Sequence, residues 1–483
     1  MLKFTKIVAT VSDKRCDVPF LRDLFNAGMN VVRMNSAHLD AEGFDTIIHN
    51  VREVSNRIGI LMDTKGPEVR TTTSDEPISI KTGDKIRIQG APDKKTIAGE
   101  IYVSYLKFAQ DLQIGDPILI DDGDLELKVI AKNNDYLEVE AQNDAVLGSR
   151  KSVNTPGVRI NLPSLTEKDR KNICYAIENK VDFIAHSFVR NKQDVLDIQK
   201  ILDEHHSSIK IIAKIENQEG VDNIDEILEV AYGIMIARGD LGIEVPQEKI
   251  PGLQRVLIRK CVAAKKPVIV ATQMLHTMIN NPRPTRAEVT DVANAIYYRT
   301  DAVMLSGETA YGKFPVEAVS TMASIAREAE KTKLLENDIR VPMPDETKND
   351  VTAFLSSQAV NSSNQLGVRA IVTDSYSGKT VRNLAAFRGK APVFAICYQE
   401  ATTRALSLSY GVWAEYQSGQ DDPKQYFLDA LGKLIAKNMI STTDRVAYLS
   451  SSFGEGGGTS FLEINHVDKI LNSVKDFKPP FFK

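Results

Sequence analysis

The chain contains eight short apolar runs of strand length, separated by amphipathic stretches with helical periodicity. In chain order they are TKIVATV, MNVVRMN, GILMDT, FIAHSF, KIIAKIE, GIMIARGD, PVIVATQ and AVMLSGE. Continuous apolar runs are typical of parallel strands that are buried on both faces and joined by helical crossovers. Eight such strands predict an α/β fold, a (β/α)8 barrel of the TIM type, whose site lies at the C-terminal ends of the strands.

Polar residues follow nearly every run at the point where the strand should end. They are Arg33 and Asn35, Asp63 and Lys65, His186 and Ser187, Lys214 and Glu216, Arg238 and Asp240, Thr272 and Gln273, and Ser306 and Glu308. One or two such positions could be strand terminators without a function. Their recurrence around one ring favours an active site at the mouth of the barrel.

The alternation is interrupted between the third and fourth runs. From Thr71 to Gly157 the chain has short alternating strands with Gly and Asp-Gly turns, which predicts a small antiparallel β domain, an inserted β-barrel. Because it interrupts the barrel at the catalytic rim, the insertion is placed to close over the site as a lid. A passive surface insertion is the alternative.

A separate region follows the eighth run. The amphipathic segment VEAVSTMASIAREAEKTK predicts a helix, and a polar connector from about Leu335 to Asp350 follows it. Beyond the connector, VRAIVTDS, APVFAICY and RVAYLSS are strand-like with helical segments between them, as in a small α/β domain. The predicted domains are the barrel at 1–70 and 158–335, the lid at 71–157 and the C-terminal α/β domain at 350–483.

Length and charge narrow the class of protein. A chain of 483 residues should hold about two to four domains. Its 60 basic and 64 acidic residues give a net charge of −4 without a basic run, so nucleic acid is not an expected partner. The four cysteines form no CxxC pair, which fits a reducing compartment. The N-terminus leaves no room for a signal peptide and no apolar segment has bilayer length, so we expect a cytoplasmic protein without a membrane partner.

Lys214, Glu216, Asp240 and Arg33 are the residues most suited to catalysis. Glu216 and Asp240 supply the one or two carboxylates that Mg²⁺ usually takes from a protein, although a simple ion pair of Glu216 with Lys214 is the alternative. Lys214 could be a Schiff-base nucleophile, but adjacent carboxylates keep a lysine protonated and favour stabilisation of a transferring phosphoryl group. Arg33 would add a second positive clamp on phosphate oxygens.

Other polar groups extend this candidate site. Asn35, Asp63 and Thr64 offer oxygen ligands for a further cation. Gly239 and Asp240 follow an apolar run at a predicted turn before a helix, where backbone amides could bind a carboxylate.

Nine segments match one family in order. They are RMN at 33–35, MDTKGPEVR at 62–70, IDDG at 120–123, LGSRKSVNTPG at 147–157, KIEN at 214–217, ARGDLGIE at 237–244, ATQML at 271–275, NPRPTRAE at 281–288 and LSGETA at 305–310. With these segments the chain resembles the pyruvate kinase family over essentially its full length. The resemblance implies transfer of the phosphoryl group of phosphoenolpyruvate to ADP, giving pyruvate and ATP in glycolysis, with Mg²⁺ and K⁺ as cofactors.

The resemblance also implies roles for individual residues. In that family the match of Lys214 stabilises phosphoryl transfer and the enolate, the match of Thr272 assists enolate protonation, and the matches of Ser306 and Glu308 support the proton path. The implied substrate contacts are Arg33, Lys214, Gly239, Asp240 and Thr272. The implied nucleotide contacts are Asn35, His38, Arg70 and Lys151, and Asp122 approaches the site with Lys151 when the lid closes. The implied metal ligands are Glu216 and Asp240 for Mg²⁺, and Asn35, Asp63 and Thr64 for K⁺; a second Mg²⁺ would arrive with the nucleotide.

One departure concerns the K⁺ site. The family usually has Arg-Leu-Asn-Phe-Ser-His-Gly where this chain has Arg33-Met-Asn-Ser-Ala-His-Leu39, so the serine that normally helps to bind K⁺ is Ala37. Glu68 matches the glutamate of K⁺-dependent members, whereas K⁺-independent members often carry lysine there. We therefore expect K⁺ dependence, with water or Ser36 in place of the missing hydroxyl.

In this family regulators bind the C-terminal domain. The residues Ser375, Ser377, Gly378, Lys379 and Thr380 resemble its phosphate-binding loop, although an ordinary loop before a helix is the alternative. The later loop Ser452–Thr459 lacks a basic residue, and Glu455 would repel a second sugar phosphate. A phosphorylated allosteric effector of the monophosphate class, or none, is expected, and the family implies a homotetramer.

Two other functions fit parts of the pattern. A Mg²⁺-dependent lyase or aldolase acting through a pyruvate enolate would also use a Glu/Asp metal pair, but would not require Lys214 together with Arg33 and the lid. A non-catalytic regulator with the same fold would tolerate loss of Lys214, Glu216, Asp240 or Thr272, and all four are present.

Overall fold

The barrel begins with three buried strands and two helices. The computed structural model describes residues 2–37, 39–332, 350–419, 423–451 and 458–473. The first elements are β1 (Lys6–Thr10), α1 (Val18–Ala27), β2 (Val31–Asn35), α2 (Ala41–Val54) and β3 (Gly59–Asp63). Both helices begin at an aspartate, Asp17 or Asp40, whose side chain accepts a hydrogen bond from an amide in the first turn. Such caps end the preceding loop and fix where each helix starts.

The insertion forms a small barrel of its own. Its elements are β4 (Val69–Arg70), β5 (Ile78–Ile80), β6 (Lys85–Gly90), β7 (Glu100–Val103), α3 (Phe108–Asp111), β8 (Pro117–Ile120), β9 (Leu125–Lys132), β10 (Leu137–Ala141), β11 (Ala145–Leu147) and β12 (Ser152–Asn154). Seven strands pair in the order β4-β12-β8-β9-β10-β6-β7, while β5 pairs with β11. Hydrogen bonds from Ser104 N to Arg70 O and from Thr72 N to Tyr102 O, both 2.8 Å, close the sheet. The pair β6 and β7 is parallel rather than antiparallel as predicted, because residues 91–99 return the chain to the starting end of β6.

The chain then completes the large barrel. The elements are α4 (Glu167–Glu178), β13 (Phe183–His186), α5 (Lys192–Glu204), β14 (Lys210–Ile215), α6 (Gln218–Asp222), α7 (Ile224–Val230), β15 (Gly233–Ala237), α8 (Arg238–Glu244), α9 (Ile250–Ala263), β16 (Val268–Ala271), α10 (Arg286–Tyr297), β17 (Ala302–Leu305), α11 (Gly307–Ala310) and α12 (Pro315–Thr332). The closed order is β1-β17-β16-β15-β14-β13-β3-β2, with all pairs parallel. All eight predicted strands and the predicted helix after them are confirmed.

Alternate residues of each barrel strand fill its interior. Val8, Phe183, Ile212 and Met235 belong to this inner cluster, and Leu408 of the C-terminal domain joins it. The lower end of the barrel, where the strands begin, is therefore sealed by another part of the chain. We call this end the floor. The opposite end, which carries the polar strand ends, is left for the site.

The C-terminal region is a five-stranded sheet with helices. Its elements are α13 (Val351–Leu366), β18 (Ala370–Ser375), α14 (Lys379–Ala386), β19 (Val393–Cys397), α15 (Glu400–Ala405), β20 (Val412–Tyr416), α16 (Pro423–Ala436), β21 (Arg445–Ser450), β22 (Phe461–His466) and α17 (Val467–Ser473). The strand order is β20-β19-β18-β21-β22, and only the β21–β22 pair is antiparallel. The three predicted strands are β18, β19 and β21. The predicted connector lies outside the described residues except for Asp350. None of the described helices has the length and apolarity needed to cross a bilayer.

A buried ion pair joins the floor to the C-terminal domain. The Arg388 side chain is 2% exposed and that of Asp301, just before β17, is 5% exposed, with 2.7 Å between Arg388 Nη2 and Asp301 Oδ2. The other oxygen, Asp301 Oδ1, accepts the Tyr410 amide at 3.1 Å. Because both charges are desolvated, each depends on the other.

Removal of this pair gives a test of the junction. We expect Arg388→Met to lower the free energy of unfolding by about 3–5 kcal/mol, because the Asp301 carboxylate would stay buried without its cation. Urea unfolding measures the change. Lys331→Met, which breaks the exposed 2.9 Å pair with Glu328, is the matched control and should change stability by less than about 1 kcal/mol. Equal effects of the two substitutions would contradict this account of the junction.

Candidate active site

Strand β14 carries a buried ammonium group to the mouth of the barrel. Lys214 lies on the same face of the strand as the interior residue Ile212. Its Nζ lies 2.9 Å from Glu216 Oε1 and 3.1 Å from Asp63 Oδ1, and donates to Ser187 Oγ at 2.7 Å. Three neighbouring strands, β3, β13 and β14, thus direct polar groups onto one nitrogen.

Charge and burial together set the protonation of this cluster. Burial lowers the pKa of Lys214, but the attraction of Asp63, Glu216 and Asp240 outweighs it and leaves the pKa above its ordinary value. Burial raises the pKa of Glu216, and the nearby carboxylates of Asp240 and Asp63 add to the rise while Lys214 opposes it. A lysine held in its charged form is a stabiliser of negative charge rather than a nucleophile.

Arg33 extends the cluster across the barrel from β2. Its Nε donates to Asp63 Oδ2 at 2.7 Å, and its Nη1 donates to Thr10 Oγ1 at 3.0 Å. Burial acts to raise the pKa of Asp63, but Lys214 and Arg33 outweigh that effect and keep the pKa below its ordinary value. The Asp63 carboxylate therefore stays ionised between two cations.

The predicted K⁺ ligands lie beside this carboxylate. Asn35 Oδ1 accepts the Ala37 amide at 3.1 Å, and Thr64 Oγ1 accepts the Ser187 amide at 3.0 Å. Ser36 Oγ is buried and forms no hydrogen bond with the residues that the structure describes. An oxygen that is buried without a partner is free to serve as a ligand.

Asp240 faces open space next to the cluster. It is half-buried in the first turn of α8, and within the described ranges its carboxylate forms no hydrogen bond or ion pair. It lines a cleft of about 650 Å³ between the barrel and the insertion. The neighbouring Gly239 lies within α8 rather than at a turn before it, and its amide donates to Thr272 Oγ1 at 2.8 Å. In this structure the Gly239 amide is thus paired with the Thr272 hydroxyl.

Thr272 sits on a strained turn at the end of β16. Thr272 and Gln273 have φ angles of +66° and +54°, a region that residues with a side chain seldom adopt. Arg238 Nη2 donates to both carbonyl oxygens, at 2.7 and 3.3 Å. Asp291, 2.8 Å from Arg238 Nη1, fixes the guanidinium. Arg238 is one of the polar residues at the strand ends, but the sequence carries no signal of this holding role beyond its place next to Gly239 and Asp240.

Ser306 and Glu308 complete this side of the mouth. The Glu308 carboxylate accepts the Leu275 amide at 3.2 Å and the Ser306 amide at 2.8 Å. Ser306 Oγ is buried and has no hydrogen-bond partner in the part of the chain that the structure describes. His186, another polar strand end, is buried too, and burial lowers its pKa to about 4, so it is a neutral residue below the site.

The predicted nucleotide contacts are divided between the barrel and the insertion. Arg70 lines the cleft, with its Nε 2.6 Å from Glu68 Oε2. Lys151 Nζ lies 2.6 Å from Asp121 Oδ2, and the adjacent Asp122 lines the cleft. The insertion meets the barrel across this cleft through Asn154 Nδ2, which donates to Glu244 Oε1 at 3.3 Å. The remaining predicted contact, His38, lies outside the described residues.

The predicted effector loop connects β18 to α14. Ser375 Oγ accepts the Gly378 amide at 3.0 Å, and Gly378 has a φ of +78° that favours glycine. Thr380 Oγ1 lies 2.7 Å from Thr459 Oγ1. Lys379 Nζ is 3.6 Å from Asp350 Oδ2, and the Ser377 carbonyl accepts a hydrogen bond from Arg382. Most of the later loop, 452–457 with Glu455, lies outside the described residues.

Comparisons with known proteins show which family the chain belongs to. Two family models match the chain, the barrel domain of pyruvate kinase over residues 2–319 and the alpha/beta domain of pyruvate kinase over 354–465. The chain is 45% identical to the pyruvate kinase of Borreliella burgdorferi, over 97% of this chain and 98% of that one, and 42% identical to that of Bacillus licheniformis, over 97% and 81%. A crystal structure of a pyruvate kinase from Cryptosporidium parvum superposes with a TM-score of 0.91, at 35% identity and 96% coverage of both chains. Since these matches span both domains and nearly the whole length, the chain belongs to the pyruvate kinase family.

Proposed function

We propose that this barrel mouth transfers the phosphoryl group of phosphoenolpyruvate to ADP and then protonates the enolate, as in the family's glycolytic reaction. One observation carries the proposal: the buried ammonium of Lys214 is held by Asp63, Glu216 and Ser187 beside the open cleft. A fixed cation in a desolvated site is what a transferring phosphoryl group and a developing enolate require.

Members of this family generally depend on a divalent metal, and the residues present fit Mg²⁺. Glu216 and Asp240 repel each other, and Asp240 has no cationic partner among the described residues. Two carboxylates suit an ion that completes its shell with substrate oxygens and water. Bound Mg²⁺ would neutralise phosphoryl and enolate oxygens as a Lewis acid.

The protein's own groups then carry the reaction. A β-phosphate oxygen of ADP attacks the phosphorus, the bond from phosphorus to the enol oxygen breaks, and its electron pair stays on that oxygen. Lys214 and Arg33 neutralise the charge that moves during this step. The enolate carbon next takes a proton from the side of Thr272, whose hydroxyl is oriented by its bond to Gly239 and whose backbone is held by Arg238.

The monovalent cation of this family would be K⁺ at Asn35, Asp63 and Thr64. Asp63 is ionised and buried at the end of β3, and Thr64 follows it directly. Asn35 carries an amide oxygen at the end of the neighbouring strand β2. The Ser36 hydroxyl is buried and has no hydrogen-bond partner among the described residues. It is therefore suited to replace the serine hydroxyl that is missing at Ala37.

The remaining roles follow from the same family membership. The nucleotide would lie in the cleft, with Asn35, His38, Arg70 and Lys151 as its contacts, and the insertion would close on it as a lid. The loop 375–380 would take a phosphorylated effector. The active form would be a cytoplasmic homotetramer.

Substitution of Lys214 tests the reaction and its mechanism. We expect Lys214→Met to lower kcat by at least about 10²–10³-fold, because the charge at the reacting oxygens is no longer neutralised. Pyruvate formation from phosphoenolpyruvate and Mg²⁺ is measured with and without ADP. Lys171→Met on the exposed face of α4 serves as the matched control and keeps full activity. Pyruvate formation that does not need ADP would mean that water accepts the phosphoryl group, as in a hydrolase. No pyruvate from the folded wild type would point to a lyase acting on another substrate or to a non-catalytic protein.

The monovalent cation gives a second test. Wild-type activity should rise steeply with K⁺ at constant ionic strength, and Glu68→Lys should remove that dependence because an ammonium group replaces the cation. Glu76→Lys, an exposed glutamate of the insertion, should leave the K⁺ dependence unchanged. Full activity of the wild type without any monovalent cation would refute this assignment.

Thr272 gives a third test, specific to protonation. Exchange of the pyruvate methyl protons with deuterated solvent, followed by NMR, should slow by about 10²–10⁴-fold in Thr272→Ala, since proton transfer loses its positioned group. Thr272→Ser keeps the hydroxyl and should retain most of the exchange. Thr290→Ala, on the exposed side of α10, is the matched control. Unchanged exchange in Thr272→Ala would exclude Thr272 from the proton path.

A further inference from the structure

The floor of the barrel carries more positive than negative charge where it meets the C-terminal domain. Its two buried aspartates are already occupied. Asp301 pairs with Arg388, and Asp182 lies 2.6 Å from Arg404 and 2.8 Å from Arg52. Any further cation at this junction must therefore find its partner elsewhere.

Three further cations lie there without a carboxylate partner among the described residues. The side chain of Lys210, the first residue of β14, forms no hydrogen bond or ion pair with the residues that the structure describes. Within the described ranges, Lys266 Nζ donates to the Ala231 carbonyl alone, at 2.5 Å. Arg382 of α14 donates to the Ser377 carbonyl at 3.1 Å, and its guanidinium lies 5.3 Å from the ring centre of Tyr232. Carbonyl and ring contacts leave the net charge of the group in place.

These three cations surround the start of β15: Lys266 Nζ bonds the Ala231 carbonyl, Arg382 lies over the Tyr232 ring, and Lys210 begins the neighbouring strand β14. Burial lowers the pKa of Lys210 and of Lys266, and the charge of Arg382 lowers both further. Burial also lowers the pKa of the adjacent Lys265; the charge of Asp350 opposes this shift and the charge of Lys379 adds to it. A half-buried cluster of like charges is destabilising unless an anion joins it.

A shallow cleft opens on the cluster. Lys266, Arg382 and Ser409 line it together. The Ser409 side chain is buried, with its residue 2% exposed, and its Oγ has no partner in the part of the chain that the structure describes. The cleft encloses only about 10 Å³, so a ligand would sit at its mouth, where flexible lysine side chains reach outward.

We propose that Lys210, Lys266 and Arg382, with the Ser409 hydroxyl, bind a phosphate-type dianion between the barrel floor and the C-terminal domain. Two ammonium groups, one guanidinium and one hydroxyl offer three positive charges and several hydrogen-bond donors to the oxygens of a phosphate-type dianion. The site is separate from the loop 375–380, although Arg382 touches the Ser377 carbonyl of that loop. It also stands apart from the catalytic mouth, at the opposite end of β14.

The consequence is an anion that joins two parts of the chain. Lys210 and Lys266 belong to the barrel, whereas Arg382 and Ser409 belong to the C-terminal domain. A dianion bound among them replaces repulsion with attraction across the junction and stabilises the folded state in proportion to its occupancy. Inorganic phosphate is the simplest probe of this chemistry.

The test is a phosphate titration of the full-length protein at constant ionic strength. Thermal unfolding gives the apparent affinity, and fluorescence of Trp413, the chain's only tryptophan, reports on the junction because the ring lies 4.8 Å from Lys6 Nζ at the floor. We expect the unfolding temperature of the wild type to rise with phosphate. Lys210→Met and Lys266→Met should each weaken phosphate binding by at least about tenfold, the loss of one charge-assisted contact. Lys200→Met on the exposed side of α5 is the matched control.

Two more variants separate this site from the other phosphate sites. Thr380→Val in the predicted effector loop and Lys214→Met at the mouth should keep the phosphate response. The proposal would be overturned if the wild type showed no phosphate response, or if both Lys210→Met and Lys266→Met retained it. Loss of the response only in Thr380→Val or only in Lys214→Met would overturn it as well. Without phosphate, Lys210→Met should unfold at a higher temperature than the wild type, because it removes a half-buried charge without a counter-ion; a clearly lower temperature would also contradict it.

Discussion

The ammonium group of Lys214 is the interaction on which the mouth of the barrel depends. It stands between the Asp63 and Glu216 carboxylates with a side chain that is only 11% exposed. Each carboxylate would be costly to bury alone, and so would the lysine, but together with the Ser187 hydroxyl they satisfy one another. The contact needs β3, β13 and β14 to lie side by side, so the charged site forms only where these three strands pair.

Around Lys214, two charged side chains form hydrogen bonds with backbone groups. Arg238 fixes the strained carbonyls of Thr272 and Gln273, and Glu308 fixes the amides of Leu275 and Ser306. A turn with positive φ angles relaxes unless its surroundings over-determine it. Arg238 and Glu308 supply that constraint, so their charges have a structural role at the mouth of the barrel.

The sequence predicts most of the fold because the barrel strands are buried on both faces and read as unbroken apolar runs. It does not predict β20 or β22, whose segments VWAEY and FLEINH mix apolar with polar residues at the two edges of the C-terminal sheet. At the site, strand ends identify the polar residues but not their partners. The bond from Lys214 to Ser187 joins residues 27 positions apart on different strands, and no local pattern encodes it.

The two lysines of β14 also show what the periodicity of a sequence cannot predict. Lys210 and Lys214 share one strand and one face, and periodicity treats them alike. Their surroundings are opposite, because the upper lysine lies beside the Asp63 and Glu216 carboxylates, whereas the lower one lies in the field of Arg382 from another domain. The first environment raises the lysine pKa and the second lowers it. A charge satisfied inside the protein can act on a passing substrate without needing it for stability, whereas a charge without a counter-ion makes the folded state itself sensitive to whichever anion is present.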